Sequence, residues 1–108
     1  MLDAALNVTV GEGVTFEFTV TNAGHDPVEV TFRDAGKADF VVYEGDEAVW
    51  RWSDEKVFAQ MIQTARFEPG EEAVFEEAWP DPRPGDYTAE ATLRVREADV
   101  TARTPFSV

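Results

Sequence analysis

The chain has 108 residues, enough for one hydrophobic core and too few for two. Its 44% apolar and 12% aromatic content excludes a disordered chain, and no apolar run approaches the roughly 20 residues a membrane helix needs. With 22 acidic and 9 basic residues, the net charge of −13 repels nucleic acid and anionic membrane surfaces, so neither is expected as a partner.

The N-terminal Met1-Leu2-Asp3 carries no basic region and no apolar stretch follows it, so no secretory leader is read there. The absence of cysteine fits a reducing compartment, and a cytoplasmic location is expected. Only Lys37 and Lys56 are lysines; the other seven basic residues are arginine. A carboxylate-rich, lysine-poor surface suits concentrated salt, where screening weakens self-repulsion. The functional alternative is an acidic face that binds a basic partner.

In chain order, Leu6 to Val10 alternates and predicts a first strand, which Gly11-Glu12-Gly13 ends. Val14 to Thr21 is the cleanest strand: Val14, Phe16, Phe18 and Val20 share one face against Thr15, Glu17, Thr19 and Thr21. Asn22 to Pro27 is a turn, and Val28, Val30 and Phe32 mark a third strand. After a loop over Asp34 to Ala38, two β-rich runs flank Glu44-Gly45-Asp46-Glu47, which predicts a hairpin. Its second run ends in Trp50-Arg51-Trp52, with the two tryptophans on one face and Arg51 on the other. A polar insert, Ser53 to Lys56, follows.

Met61 to Phe67 alternates weakly and is read as a strand, while Phe58 to Ile62 is also compatible with a helical turn. Glu68-Pro69-Gly70-Glu71 has proline and glycine where a type II turn wants them. Ala73 to Trp79 is a strand, Pro80 to Gly85 a connector stiffened by three prolines, Asp86 to Val95 an alternating strand, and Val100 to Val108 the last. Pro105 suits an edge. This pattern predicts an all-β, antiparallel β-sandwich of about seven to nine strands, immunoglobulin-like and forming a single domain over residues 1–108. Gly85-Asp86-Tyr87 resembles the tyrosine corner of such sandwiches. Core candidates are Phe16, Phe18, Phe32, either Trp50 or Val49, Phe75, Tyr87 and Leu93.

An enzyme is not expected. There is no cysteine, the only serines are Ser53 and Ser107, and the sole histidine, His25, sits in a turn beside Asp26. Too few ligands remain for zinc, no EF-hand spacing occurs, and no glycine loop cradles phosphate, so no cofactor is expected. Trp50, Trp52 and Trp79 invite a sugar-stacking reading; the plainer one is that a sandwich of this size fills its core with them. Trp and Arg together also suit a protein contact patch.

Several runs resemble the BsuPI family of intracellular proteinase inhibitors. They are Asp39-Phe40-Val41-Val42, Val49-Trp50-Arg51-Trp52-Ser53-Asp54, Phe58 with Gln60, Phe75-Glu76-Glu77-Ala78-Trp79 and Pro84-Gly85-Asp86-Tyr87-Thr88. The resemblance starts at Val20-Thr21-Asn22 and covers nearly the whole chain; the acidity and Ala78 depart from it. It implies an immunoglobulin-like fold and inhibition of an intracellular, subtilisin-type serine protease. It supplies no reactive site, so one must be argued physically. A protease inhibitor offers a rigid, exposed segment that a substrate cleft accepts as an added strand. Arg51 to Phe58, anchored by Trp50, Trp52 and Phe58, is the preferred segment, with Arg51, Trp52, Ser53, Asp54, Glu55, Lys56 and Phe58 as its contact residues, and Pro80 to Asp86 is the second candidate. The bland readings are a solvated connection for the first and a crossover between sheets for the second. A monomer bound to one protease is expected. The alternatives are a generic immunoglobulin-like interaction module without inhibitory activity and a carbohydrate-binding module.

Overall fold

The computed structural model describes residues 1–54 and 56–108. They form nine strands: β1 (Leu2–Val10), β2 (Val14–Asn22), β3 (Val28–Phe32), β4 (Ala38–Glu44), β5 (Glu47–Arg51), β6 (Gln63–Phe67), β7 (Glu72–Trp79), β8 (Asp86–Leu93) and β9 (Val100–Ser107). Every pairing is antiparallel. One sheet has the order β1-β2-β7 and the other β5-β4-β8-β9, with β3-β6 as a small third ladder. This is the arrangement of an immunoglobulin-like sandwich, with β5 in the place of the extra strand beside the central pair.

The strict alternation of β2 decides which way the sandwich closes. Val14, Phe16, Phe18 and Val20 are fully buried, and their neighbours Thr15 and Glu17 face water. They meet Phe40 and Val42 of β4 and Ala89, Ala91 and Leu93 of β8 in one continuous core. Phe16 stacks on Phe40 at 6.0 Å and on Trp50 at 5.8 Å. A β-bulge between Val42 and Tyr43 skips Val49 in the β4–β5 pairing. It resolves the choice between Val49 and Trp50: Val49 is exposed, while Trp50 turns in against the core.

The turns follow their residues. Gly45 holds φ +61° in the β4–β5 hairpin, and Gly70 holds φ +83° in the type II turn, where the Glu71 N–H donates to the Glu68 carbonyl at 2.9 Å. The tyrosine corner is present: the Tyr87 hydroxyl donates to the Arg83 carbonyl at 2.7 Å. Buried Asn22 joins the sandwich to the small ladder. Its side-chain amide donates to the carbonyls of Asp26 (2.8 Å) and Phe67 (2.9 Å), while its oxygen accepts from the Gly24 N–H (3.0 Å). β9 lies at a sheet edge, which accommodates Pro105. The Thr104 hydroxyl ties that edge to β1 through the Leu6 carbonyl at 2.5 Å.

Two expectations need adjusting. β1 begins at Leu2, not Leu6, because Leu2 and Ala4 continue the inward face, and the small alanines at positions 4 and 5 blur the alternation. Residues 56–62 form neither helix nor strand, and β6 starts only at Gln63.

Candidate functional site

The chain leaves β5 at Arg51 and does not rejoin a ladder until Gln63. Asp39, in β4, fixes the start of this crossing. One of its oxygens accepts from the Ser53 hydroxyl at 2.7 Å, and the other from the backbone N–H groups of Phe40 (2.9 Å) and Ser53 (3.2 Å). Arg51 adds an ion pair to the same carboxylate at 3.4 Å, on the outer face of the sheet. Exposed on one side, that pair is worth little on its own. The Trp52 N–H donates to the Phe40 carbonyl at 2.9 Å, extending the β4–β5 pairing by one step. Two further turns follow, Asp54 N–H to Arg51 carbonyl and Lys56 N–H to Ser53 carbonyl, both at 3.2 Å.

Trp52 is the platform of the loop. It sits edge-on to core Phe40 at 6.4 Å, and Phe58 stacks on it at 5.6 Å. The Lys56 ammonium lies over the same indole, 5.1 Å from its centre. Phe58 is held from below as well. A Cβ on Gly36 would come within 2.9 Å of three atoms of the Phe58 ring, so the ring rests directly on the glycine backbone. The Arg94 guanidinium covers Phe58 at 5.3 Å and is itself fixed by Asp34 at 3.0 Å. The Ala35 N–H donates to the Ala59 carbonyl at 3.1 Å, and the Met61 N–H to the same oxygen at 2.8 Å.

Between these anchors the side chains are free. Val57 is 98% exposed, Met61 51% and Ile62 60%. Of the residues expected from sequence, Trp52 and Phe58 are half-buried supports, Ser53 is the clamp on Asp39, and Arg51, Asp54 and Lys56 are exposed. Glu55 lies outside the described residues. Asp39 was named only within a run that carries the family resemblance and Val57 only as lying inside the segment Arg51 to Phe58, while Gly36 and Arg94, which hold the loop, and Met61 and Ile62, which it presents, were not singled out from sequence. For Val57 the only available signal was an apolar residue next to Phe58 in a stretch without period.

The second candidate, Pro80 to Asp86, lies at the opposite end of the sandwich, beside the β4–β5 hairpin. It is pinned by the tyrosine corner and by paired backbone bonds between Gly85 and Val108 at 2.9 and 3.1 Å. Beside it is an open cleft of about 490 Å³ lined by Glu44, Val49, Trp79, Asp81, Arg83 and Tyr87. The tryptophans make no open sugar platform. Trp79 is buried and stacks with Trp50 at 6.3 Å, and Trp52 carries Phe58. Among the described residues no cluster of acids and histidine could hold a metal ion, and no helix is long and apolar enough to cross a membrane.

Residues 2–98 match the BsuPI family, described as intracellular proteinase inhibitor. The chain belongs to the BsuPI family. That family is one of inhibitors rather than enzymes, and its name places its members inside the cell. The match covers β1 to β8 and the whole anchored loop, and ends before β9. No curated protein matches this BsuPI chain. Among solved structures it is similar to a β-glucuronidase from Bacteroides uniformis, at 16% identity and a TM-score of 0.49, covering 98% of this chain and 13% of that one. It is also similar to a β-glucosidase from Erythrobacter marinus, at 12% identity and a TM-score of 0.40, covering 94% of this chain and 15% of that one. The chain therefore spans less than a sixth of either enzyme's length.

Charge is unevenly spread over this BsuPI protein. Segments 33–39, 51–56 and 94–99 surround the anchored loop and hold six basic and six acidic residues. The rest of the chain holds three basic and sixteen acidic residues, so the net charge of −13 lies entirely outside these segments.

Proposed function

We propose that this BsuPI protein inhibits a subtilisin-type serine protease in the cytoplasm. It acts as a monomeric single domain in a one-to-one complex, with the loop from Ser53 to Ile62 occupying the substrate cleft. The reading is carried by one observation: the loop is anchored by the Trp52–Phe58 stack and by the backbone bond from Ala35 to Ala59, yet presents Val57, Met61 and Ile62 to solvent. A segment ordered before binding loses little conformational entropy when it docks, which is how a small interface becomes tight. Between the turn that closes at Lys56 and the bend at Gln60, residues 57–59 pair with no strand of the protein, and such a stretch suits a cleft that accepts its substrate as an added strand. Trp52 and Phe58 act from beneath, Asp39 and Ser53 fix the entry, and the exposed Arg51, Asp54 and Lys56 form the polar rim. The charge balance around the loop supports the same end, because the acidic remainder would repel a protease with an acidic surface.

The test is an inhibition titration against a cytoplasmic subtilisin-type protease, in dilute buffer and again in molar potassium chloride, where an acidic, lysine-poor surface is best screened. Stoichiometric loss of protease activity is expected. No inhibition in either salt by protein folded by circular dichroism would reject the reading and leave a binding module without inhibitory activity.

A further inference from the structure

We infer that Val57 is the primary specificity residue of the loop, the side chain that enters the main pocket of the protease, and that this pocket is apolar. The inference rests on the inhibitory reading above and goes beyond it by naming the residue and the pocket.

Both neighbours of Val57 are pinned to one indole. Lys56 lies over Trp52 at 5.1 Å, and its N–H is bound to the Ser53 carbonyl at 3.2 Å. Phe58 is stacked on Trp52 at 5.6 Å and seated on Gly36. Val57 between them touches almost nothing and is 98% exposed, the most exposed of the large apolar side chains among the described residues. Burying this side chain in a partner's pocket removes its apolar area from water, and no contact within the protein has to be broken first. Fixed neighbours and a free centre are what a pocket-filling residue needs, since the backbone on either side is already ordered.

Met61 and Ile62 are weaker claimants. The Met61 N–H folds back to the Ala59 carbonyl at 2.8 Å, which bends the chain at Gln60 and turns it toward β6. They are placed to touch the rim of the cleft rather than its main pocket. Nor does Lys56 fit as the pocket residue, because its ammonium is engaged on Trp52.

The experiment compares inhibition constants of wild type with Val57→Asp, Val57→Lys and Val57→Leu against two proteases: a subtilisin-type enzyme with an apolar main pocket, and trypsin, whose pocket is acidic. Val57→Asp should weaken inhibition of the first by about 100-fold or more, because an unpaired carboxylate would be buried in an apolar site. Val57→Leu should stay within about tenfold of wild type, the lower end of the range for one methylene in an apolar pocket. Val57→Lys should lose the first enzyme and gain inhibition of trypsin. Val74→Asp, a substitution at an exposed apolar residue of β7, should change nothing. If wild type inhibits stoichiometrically and Val57→Asp and Val57→Lys match it within about threefold, the assignment of Val57 is wrong while the inhibitory reading stands. If wild type inhibits nothing, the inhibitory reading fails first. Because Val57 packs against almost nothing, all three variants are expected to fold, which circular dichroism checks.

Discussion

The two ends of this sandwich both end in aromatic-anchored connections, but the anchors serve opposite purposes. At the end carrying Pro80 to Gly85, Tyr87 reaches out from β8 and ties the connector down through the Arg83 carbonyl. Trp79 and Tyr87 meet edge-on at 5.0 Å beneath it, and Trp79 is buried. The rings there belong to the core, and the connector is their lid. At the other end Trp52 and Phe58 are only half-buried, and they raise a segment whose own apolar residues face water. An aromatic anchor therefore does not by itself mark a binding loop. What separates the two ends is whether the residues next to the anchor are satisfied within the protein.

The largest effect is expected from removing the platform. Trp52→Ala releases Phe58 and Lys56 together and should weaken inhibition by about 100-fold or more through lost preorganisation. The same change should cost about 2 kcal/mol of stability, less than a fully buried tryptophan because part of the ring is already in water. Inhibition and urea unfolding measured on one sample separate the two. A variant that loses only stability would make this end no different from the proline end.

Gly36→Val comes next. Its Cβ would meet the Phe58 ring at 2.9 Å, so the ring must move, although Gly36 itself is buried beneath it. Inhibition should weaken by about tenfold, with about 1 kcal/mol of stability lost from the shifted packing. Unchanged inhibition would show that the seat of Phe58 does not set the loop's geometry.

Much of this architecture was legible in the residues. Period two in Val14 to Thr21 and in Asp86 to Val95 gave a central strand of each sheet, the second ending two residues earlier at Leu93, and glycine and proline gave the turns at Gly45 and Gly70. Gly85-Asp86-Tyr87 pointed to the tyrosine corner. The site was legible only in outline. Trp52 and Phe58 stood out by size, but their support comes from Asp39, Gly36 and Arg94, which are brought to them by strand pairing rather than by nearness in sequence. A β-bulge decided that Trp50 and not Val49 faces inward, and a bulge leaves no periodic trace in so short a strand. Val57 carries no signal of its own, because exposure of an apolar side chain is a property of the fold around it.

At the opposite end, Tyr87→Phe removes one hydrogen bond of 2.7 Å and keeps the ring. The expected loss is about 1 kcal/mol, with the Arg83 carbonyl free to find water. Inhibition should not change. A fall in inhibition here would revive Pro80 to Asp86 as the contact segment and make the two ends alike in function.

The smallest effect concerns the floor beneath the loop. Glu97 accepts the Thr31 hydroxyl at 2.7 Å and the Thr31 N–H at 2.8 Å, and Arg96 donates its N–H to the Thr31 carbonyl at 3.1 Å. These contacts tie β3 to the segment that brings Arg94 over Phe58. The Thr31 hydroxyl first, and then the Thr31 N–H, hold the Glu97 carboxyl below its ordinary value of 4.5. A depressed value in the folded state means the stabilisation is present above the ordinary value and is lost as pH falls through the lower, folded one. Glu97→Gln removes that titration. The Tm of wild type should therefore exceed that of the variant at pH 7, and the gap should narrow as pH drops below about 4. Because Glu97 is exposed, the gap should be small at any pH. A gap that stays constant through the acid range would mean that the charge on Glu97 does not contribute. A gap that closes while inhibition is unchanged would show that the loop does not depend on the Thr31–Glu97 contacts.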